Sequence, residues 1–222
     1  MSTAAQDWAT STEQQLLDEA LRMAPEHGWT RRTATLAGKA LGMSQAETDL
    51  LLPHGPTDLA ALLSRRHDAR ALEALTNVHA DNLKIREKIR RAVEARLDAA
   101  AADEAALRRC VGFLALPGHL RLGARLTWDS ADVLWRWAGD TATDENHYTK
   151  RAILAGILTG AVAIHLASGR GAAMAFVDRR IEDVMAFEKW KATTKLRPGH
   201  WLAAAAERLG RMRYGTPEPP EA

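Results

Sequence analysis

"GDTATDENHYTKRAILAGILTGAVAIHLA" (Gly139–Ala167) opens with a dense polar cluster and closes with sixteen residues, from Ala152, that only Thr159 and His165 interrupt as an apolar run. How this run is read decides the fold. A membrane span needs about 18 or more apolar residues. This run is shorter, holds His165, and follows directly on Lys150 and Arg151. It therefore predicts a buried helix in a helical bundle.

The same periodicity extends in both directions. Strand signals are nearly absent, and Gly and Pro punctuate one helical pattern after another, so the expected fold class is all-α. Thr12 to Ala24 places Leu16, Leu17, Ala20, Leu21 and Ala24 on one face, with Ser11 or Thr12 as cap and Gly28 as terminator. Arg31 to Leu41 is a short second helix. After Gly42-Met43, Ser44 caps a third, Gln45 to Leu52, with Glu47 completing a capping box. Longer helices are predicted over Asp58–Val78, Asn82–Ala100, Asp103–Leu116, a segment from Pro117 to Ala138, Asp144–Ala167, Ala172–Trp190 and Pro198–Tyr214. In the fifth, Ile85, Ile89, Val93 and Leu97 recur at i, i+4.

The chain has 222 residues, 46% of them hydrophobic, enough for one large core or two units sharing one. A net charge of +2 gives no global field favouring nucleic acid. The single cysteine, Cys110, lies on an apolar face and reads as a core residue. The first ten residues show neither a secretory nor a transit-peptide pattern. Abundant Arg and Ala suggest a GC-rich bacterial source.

"LAGKALGMS" (Leu36–Ser44) has helix-turn-helix spacing, and with the helix before it resembles the N-terminus of the TetR repressor family. That resemblance implies a large all-helical ligand-binding and dimerising domain behind it. The chemistry for DNA is missing. Gln45–Leu52 offers Glu47, Asp49 and three leucines where a recognition helix needs donors and cations, so no nucleic acid partner is expected. Signs of an enzyme are also absent. There are no close Cys/His pairs for zinc, no Glu-x-x-His pair for a di-iron bundle, no phosphate loop and no nucleophile elbow. Asp129 and Asp132 read as helix-face charges. No catalytic residue, cofactor or metal is expected.

"WRWAGDTATDENHYTKRAILAGI" (Trp135–Ile157) and "FVDRRIEDVMAFEK" (Phe176–Lys189) resemble the ubiquinone-biosynthesis accessory family, the ninth of the Coq proteins. The shared pattern falls on Ala138, Gly139, Asp140, Thr143, Asp144, Asn146, Tyr148, Thr149, Lys150, Arg151 and Ala152. His147 stands where many members have Trp. The resemblance implies a non-enzymatic, TetR-like homodimer. Such a protein binds an isoprenoid quinone or phospholipid and presents a quinone intermediate to a membrane-associated hydroxylase. It also implies a partner-binding patch of Leu134, Asp144, His147, Tyr148 and Arg151. Ordinary capping accounts for Asp140 to Glu145 but not for His147 and Tyr148.

A carrier of an isoprenoid tail needs an apolar slot, because each CH₂ drawn into water costs about 0.8 kcal/mol. Ile153, Gly156, Ile157, Gly160 and Ile164 are the candidates on one helix, with Phe176, Ile181 and Met185 as the facing wall. Tight helix packing without a ligand explains the same small residues. In the last helix Trp201, Leu202, Leu209 and Met212 form an apolar face beside Arg208, Arg211 and Arg213, the pattern of a helix lying on a membrane surface or docked on its own protein. The basic residues Lys84, Arg86, Lys88, Arg90, Arg91 and Arg96 read as a solvated flank.

The expected organisation is therefore a disordered 1–10, a degenerate helix-turn-helix-like unit at 11–55, and a lipid-binding and dimerisation bundle at 56–190. An amphipathic helix follows at 191–214 and a disordered tail at 215–222. The expected location is cytoplasmic, peripheral on the inner membrane of a bacterium. A TetR-type regulator with an apolar ligand and a lipid-independent scaffold are the alternatives.

Overall fold

The structure, a computed structural model, describes residues 2–79, 82–140 and 145–194. Among these there are eight α-helices and no strand, so the fold is all-α. The helices are α1 (Ser2–His27), α2 (Arg31–Ala40), α3 (Gln45–Leu51), α4 (Pro56–Leu75), α5 (Ile85–Ala101), α6 (Glu104–Leu114), α7 (Leu120–Trp137) and α8 (Glu145–Thr194). The chain divides into two compact units, Met1–Arg179 and Arg180–Ala222. That boundary lies upstream of the one expected after residue 190. Asp144, Trp201, Leu202, Leu209 and Met212 lie outside the described residues.

α1 begins at Ser2, so residues expected to be disordered continue the helix; Ala4, Ala5 and Gln6 are strong helix formers. Leu16, Leu17, Ala20 and Ala24 are fully buried, as their spacing requires. Gly28 ends the helix at φ +73°, a left-handed conformation that disfavours any side chain. The Trp29 indole then donates to Pro56 O at 2.8 Å, tying this turn to the start of α4.

α2 and α3 form the predicted turn. The Ser44–Glu47 capping box is made in both directions, at 2.8 and 3.2 Å. Gly38 lets the two helices meet, since a Cβ there would run into Thr48 Oγ1. Thr48 is itself buried, so neither side yields easily. Gly38→Ala is therefore expected to lower stability by about 1–3 kcal/mol in denaturant unfolding.

One core joins these helices to the rest of the first unit. Leu16, Leu17 and Ala37 pack with Leu59, Leu63, Cys110 and Leu126 from α4, α6 and α7. Each such leucine contributes about 1.5–3 kcal/mol. The three-helix segment at 11–55 is thus part of a larger core. In α5, Ile89, Val93 and Leu97 are buried, whereas Ile85 is 43% exposed. Arg96 is no solvated flank: it bonds Asp68 at 2.6 Å with both side chains nearly buried.

Only one face of the apolar run in α8 is buried. Leu154, Ile157, Leu158, Ala161 and His165 face inward, while Ala152, Ile153, Gly156, Thr159 and Ala163 are exposed. Within His147–Phe187 the most apolar window, of mean hydropathy 1.8, is long and apolar enough to cross a membrane and is only 28% buried. The expectation of a fully buried helix is corrected to this extent. Gly169, at φ +83°, interrupts the helix. In the second unit, Phe187 and Trp190 lie 5.9 Å apart and both are exposed.

Candidate functional site

α4 to α8 enclose a cavity of about 460 Å³, within the ~300–1,000 Å³ range of small-molecule pockets. Its wall is mostly aliphatic: Leu63, Val93, Leu97, Leu107, Leu126 and Leu158 are typical. Helical spacing explains the α8 contribution, since Leu158, Ala161 and Val162 lie at i, i+3 and i+4 on its inner face. The rim comes from the α6–α7 turn and α8, where Ala115, Leu120, Ala124, Thr159 and Ala163 line the cavity and are exposed.

Its few polar lining groups are mostly held by neighbours. Arg96 is neutralised by Asp68. Buried His67 places Nε2 3.1 Å from Asp103 Oδ2, which also accepts from Arg70 at 3.0 Å. Burial pushes the His67 pKa down, with the Asp103 hydrogen bond opposing it. A neutral ring donates Nε2–H to the carboxylate, whose own pKa this bond lowers. Because the folded protein binds this proton less readily than the unfolded chain, stability rises with pH through the window below the ordinary histidine value of ~6.5. Thermal melts are expected to lose midpoint as pH falls below that value, and His67→Gln to flatten the loss. Cys110 also lines the cavity. Burial pushes its thiol up to about 12, so a water-soluble thiol reagent at pH 8 is expected to label it only in denaturant.

None of the eight residues expected to form the slot lines this cavity. Ile153 and Gly156 are exposed, and a Cβ at Gly156 would meet nothing within 4 Å. The space beside Gly160 is filled by Phe176, whose ring carbons lie 2.6 Å from a Cβ built there. Ile157 is buried and Ile164 half-buried, while Ile181 and Met185 belong to the second unit.

The polar cluster before α8 is largely a clamp. Arg151, 2% exposed, donates from Nε to Asp132 at 2.6 Å and from an η nitrogen to Asp140 at 2.9 Å. Lys150 reaches the other Asp140 oxygen at 2.6 Å, and the Trp135 indole donates to Lys150 O at 3.1 Å. Burial pushes the Asp140 carboxyl up, but hydrogen bonds from Lys150 and Arg151 outweigh it and hold the group below its ordinary value. Leu134 is fully buried. Leu134 and Arg151 therefore cannot belong to a surface patch; Leu134 is core, and Arg151 joins α8 to α7 through Asp132. Tyr148, 65% exposed, and half-buried His147 remain at the surface. Their rings are 5.2 Å apart, and Trp128, not expected in the patch, stands 6.2 Å from Tyr148.

Clamp, aromatic patch and inner face of α8 all fall within residues 120–188, which match the family profile named COQ9. Along a longer stretch the chain is 29% identical over 184 residues to "Ubiquinone biosynthesis protein COQ9, mitochondrial" of Rattus norvegicus, covering 78% of this chain and 58% of that protein. It is 31% identical over 153 residues to the same-named proteins of Bos taurus and Homo sapiens, covering 65% of this chain and 47% and 48% of theirs. The chain is thus similar to COQ9 proteins, over 78% of its length in the first case and 65% in the other two. It spans about half the length of these curated COQ9 proteins. Among the described residues, no cluster of three or more His, Cys, Asp or Glu is placed to hold a metal.

Proposed function

We propose that this protein is a non-enzymatic accessory factor of ubiquinone biosynthesis that carries a quinone intermediate in the α4–α8 cavity. It presents that intermediate to a membrane-associated hydroxylase. The observation that carries the reading is the cavity itself: about 460 Å³, aliphatic, and open at an apolar rim. An isoprenoid tail of dozens of carbons exceeds that volume, so the cavity would hold the ring end and the rest would leave between α7 and α8. Exposed Leu116 and Leu120 at the α6–α7 turn suit contact with a lipid surface. Peripheral attachment to the quinone-holding membrane and a homodimer are part of this proposal. The relatives' names place those proteins in mitochondria, and a bacterial source rests on composition alone.

Organic extraction of the purified protein, read by mass spectrometry, tests the carrier reading. A co-purifying isoprenoid quinone is expected; a lipid-free protein that also fails to take up added quinone contradicts it. The partner surface is proposed to be Tyr148, His147 and Trp128. Tyr148→Ala is expected to weaken capture of the hydroxylase at least tenfold with an unchanged melting point, because an exposed ring gives little to folding and much to an interface. Equal loss of both would contradict that role.

A further inference from the structure

The hydroxyls lining the cavity differ in what they already bond. Thr127 and Thr159 donate along their own helices, to Gly123 O and Ala155 O, both at 2.9 Å. Ser64 and Ser130 do not. Among the described residues their one hydrogen-bond contact is with each other, at 3.5 Å, the outer limit for such a bond. Ser130 is only 2% exposed. Each hydroxyl offers one donor and two acceptor positions, so this cavity-facing pair, Ser130 buried and Ser64 half-buried, retains unused capacity. His67, one turn beyond Ser64 on α4, lies on the same wall.

The charge of this wall is as informative as its polarity. Arg96 is committed to Asp68 at 2.6 Å, and His67, held neutral by burial, is committed to Asp103 at 3.1 Å. The wall therefore offers neutral hydrogen bonds and no free cation, a poor match for a phosphate and a good one for carbonyl or phenol oxygens. The rim is mostly apolar: Ala115, Leu120, Ala124 and Ala163 are exposed, and the hydroxyl of Thr159 beside them is taken up by Ala155 O.

The structure assigns Ser64 and Ser130 as the receptor for the oxygen-bearing ring of an uncharged quinone or phenol, with its hydrocarbon tail leaving past Leu120. This rests on the carrier reading above. It also gives the occupant a direction and a chemical class, with ring inward, tail outward and phosphate disfavoured.

The test compares two probes on the lipid-stripped protein: a ubiquinone with two isoprene units, and an isoprenoid hydrocarbon of similar length without the ring. The Ser64→Ala/Ser130→Ala double variant is expected to bind the ubiquinone about tenfold more weakly, while the hydrocarbon changes by less than about twofold. Ser64→Ala alone, at a half-buried position, is expected to show about a threefold loss and covers the case in which the double variant folds poorly. Unchanged ubiquinone affinity overturns the assignment, and so does an equal loss for both probes, which marks the serines as packing residues. Wild-type protein that binds neither probe overturns the carrier reading itself, a result distinct from both.

Discussion

Arg151→Ala is expected to lower the unfolding free energy by about 3–5 kcal/mol, the usual loss when one partner of a buried ion pair is removed. The guanidinium is almost fully enclosed and bonds two carboxylates, Asp132 and Asp140, the latter itself 6% exposed. Removing it leaves Asp140 buried with Lys150 as its remaining cationic partner. Arg151→Lys keeps the charge but cannot span both carboxylates, so a smaller loss is expected. The sign with pH follows from Asp140. Its pKa is lower folded than unfolded, so its contribution is present above the unfolded value of ~3.9 and is lost as pH falls through the folded one. The gap between wild type and Arg151→Ala should accordingly narrow below about pH 4. Denaturant titrations at pH 7 and pH 3.5 check both parts, and a loss under 1 kcal/mol at pH 7 would contradict the clamp.

The second large effect concerns cargo. Val162 lines the cavity and is half-buried near its rim. Val162→Trp places an indole in the opening, where partial exposure leaves it room to settle. Overpacking there is expected to lower stability by about 1–3 kcal/mol, whereas bound quinone per protein should fall at least tenfold. Ile153→Trp provides the matched control. Ile153 is on the exposed face of the same helix, so cargo should be unchanged. If Ile153→Trp removes the lipid and Val162→Trp does not, the slot lies where the glycines first suggested.

That contrast shows how far the sequence could be read. Helix order and the α2–α3 turn were legible because their signals are local: the cap at Ser44, the φ demanded at Gly42, the i, i+4 stripe from Ile89 to Leu97. The cavity was not legible, because it is made of what five helices leave unfilled. Gly160 illustrates the failure. A glycine on an apolar face signals room, but sequence cannot say for what, and here the room belongs to Phe176. Leu158, Ala161 and Val162 carry no mark of lining a cavity beyond their shared face. Arg151 and Leu134 were misplaced for a related reason: a family motif records which residues matter, not which way they point. Asp132 and Asp140 turn Arg151 inward, while Tyr148 of the same motif stays exposed.

The most direct measurement is photocrosslinking with a short-chain ubiquinone that carries a photoreactive group on its ring, followed by peptide mapping. Adducts on the α4 and α7 segments around Ser64 and Ser130 are predicted, suppressed by unlabelled ubiquinone and by Val162→Trp. Adducts concentrated on the exposed face of α8 around Ile153 and Gly156, with none on α4 or α7, would contradict the carrier cavity.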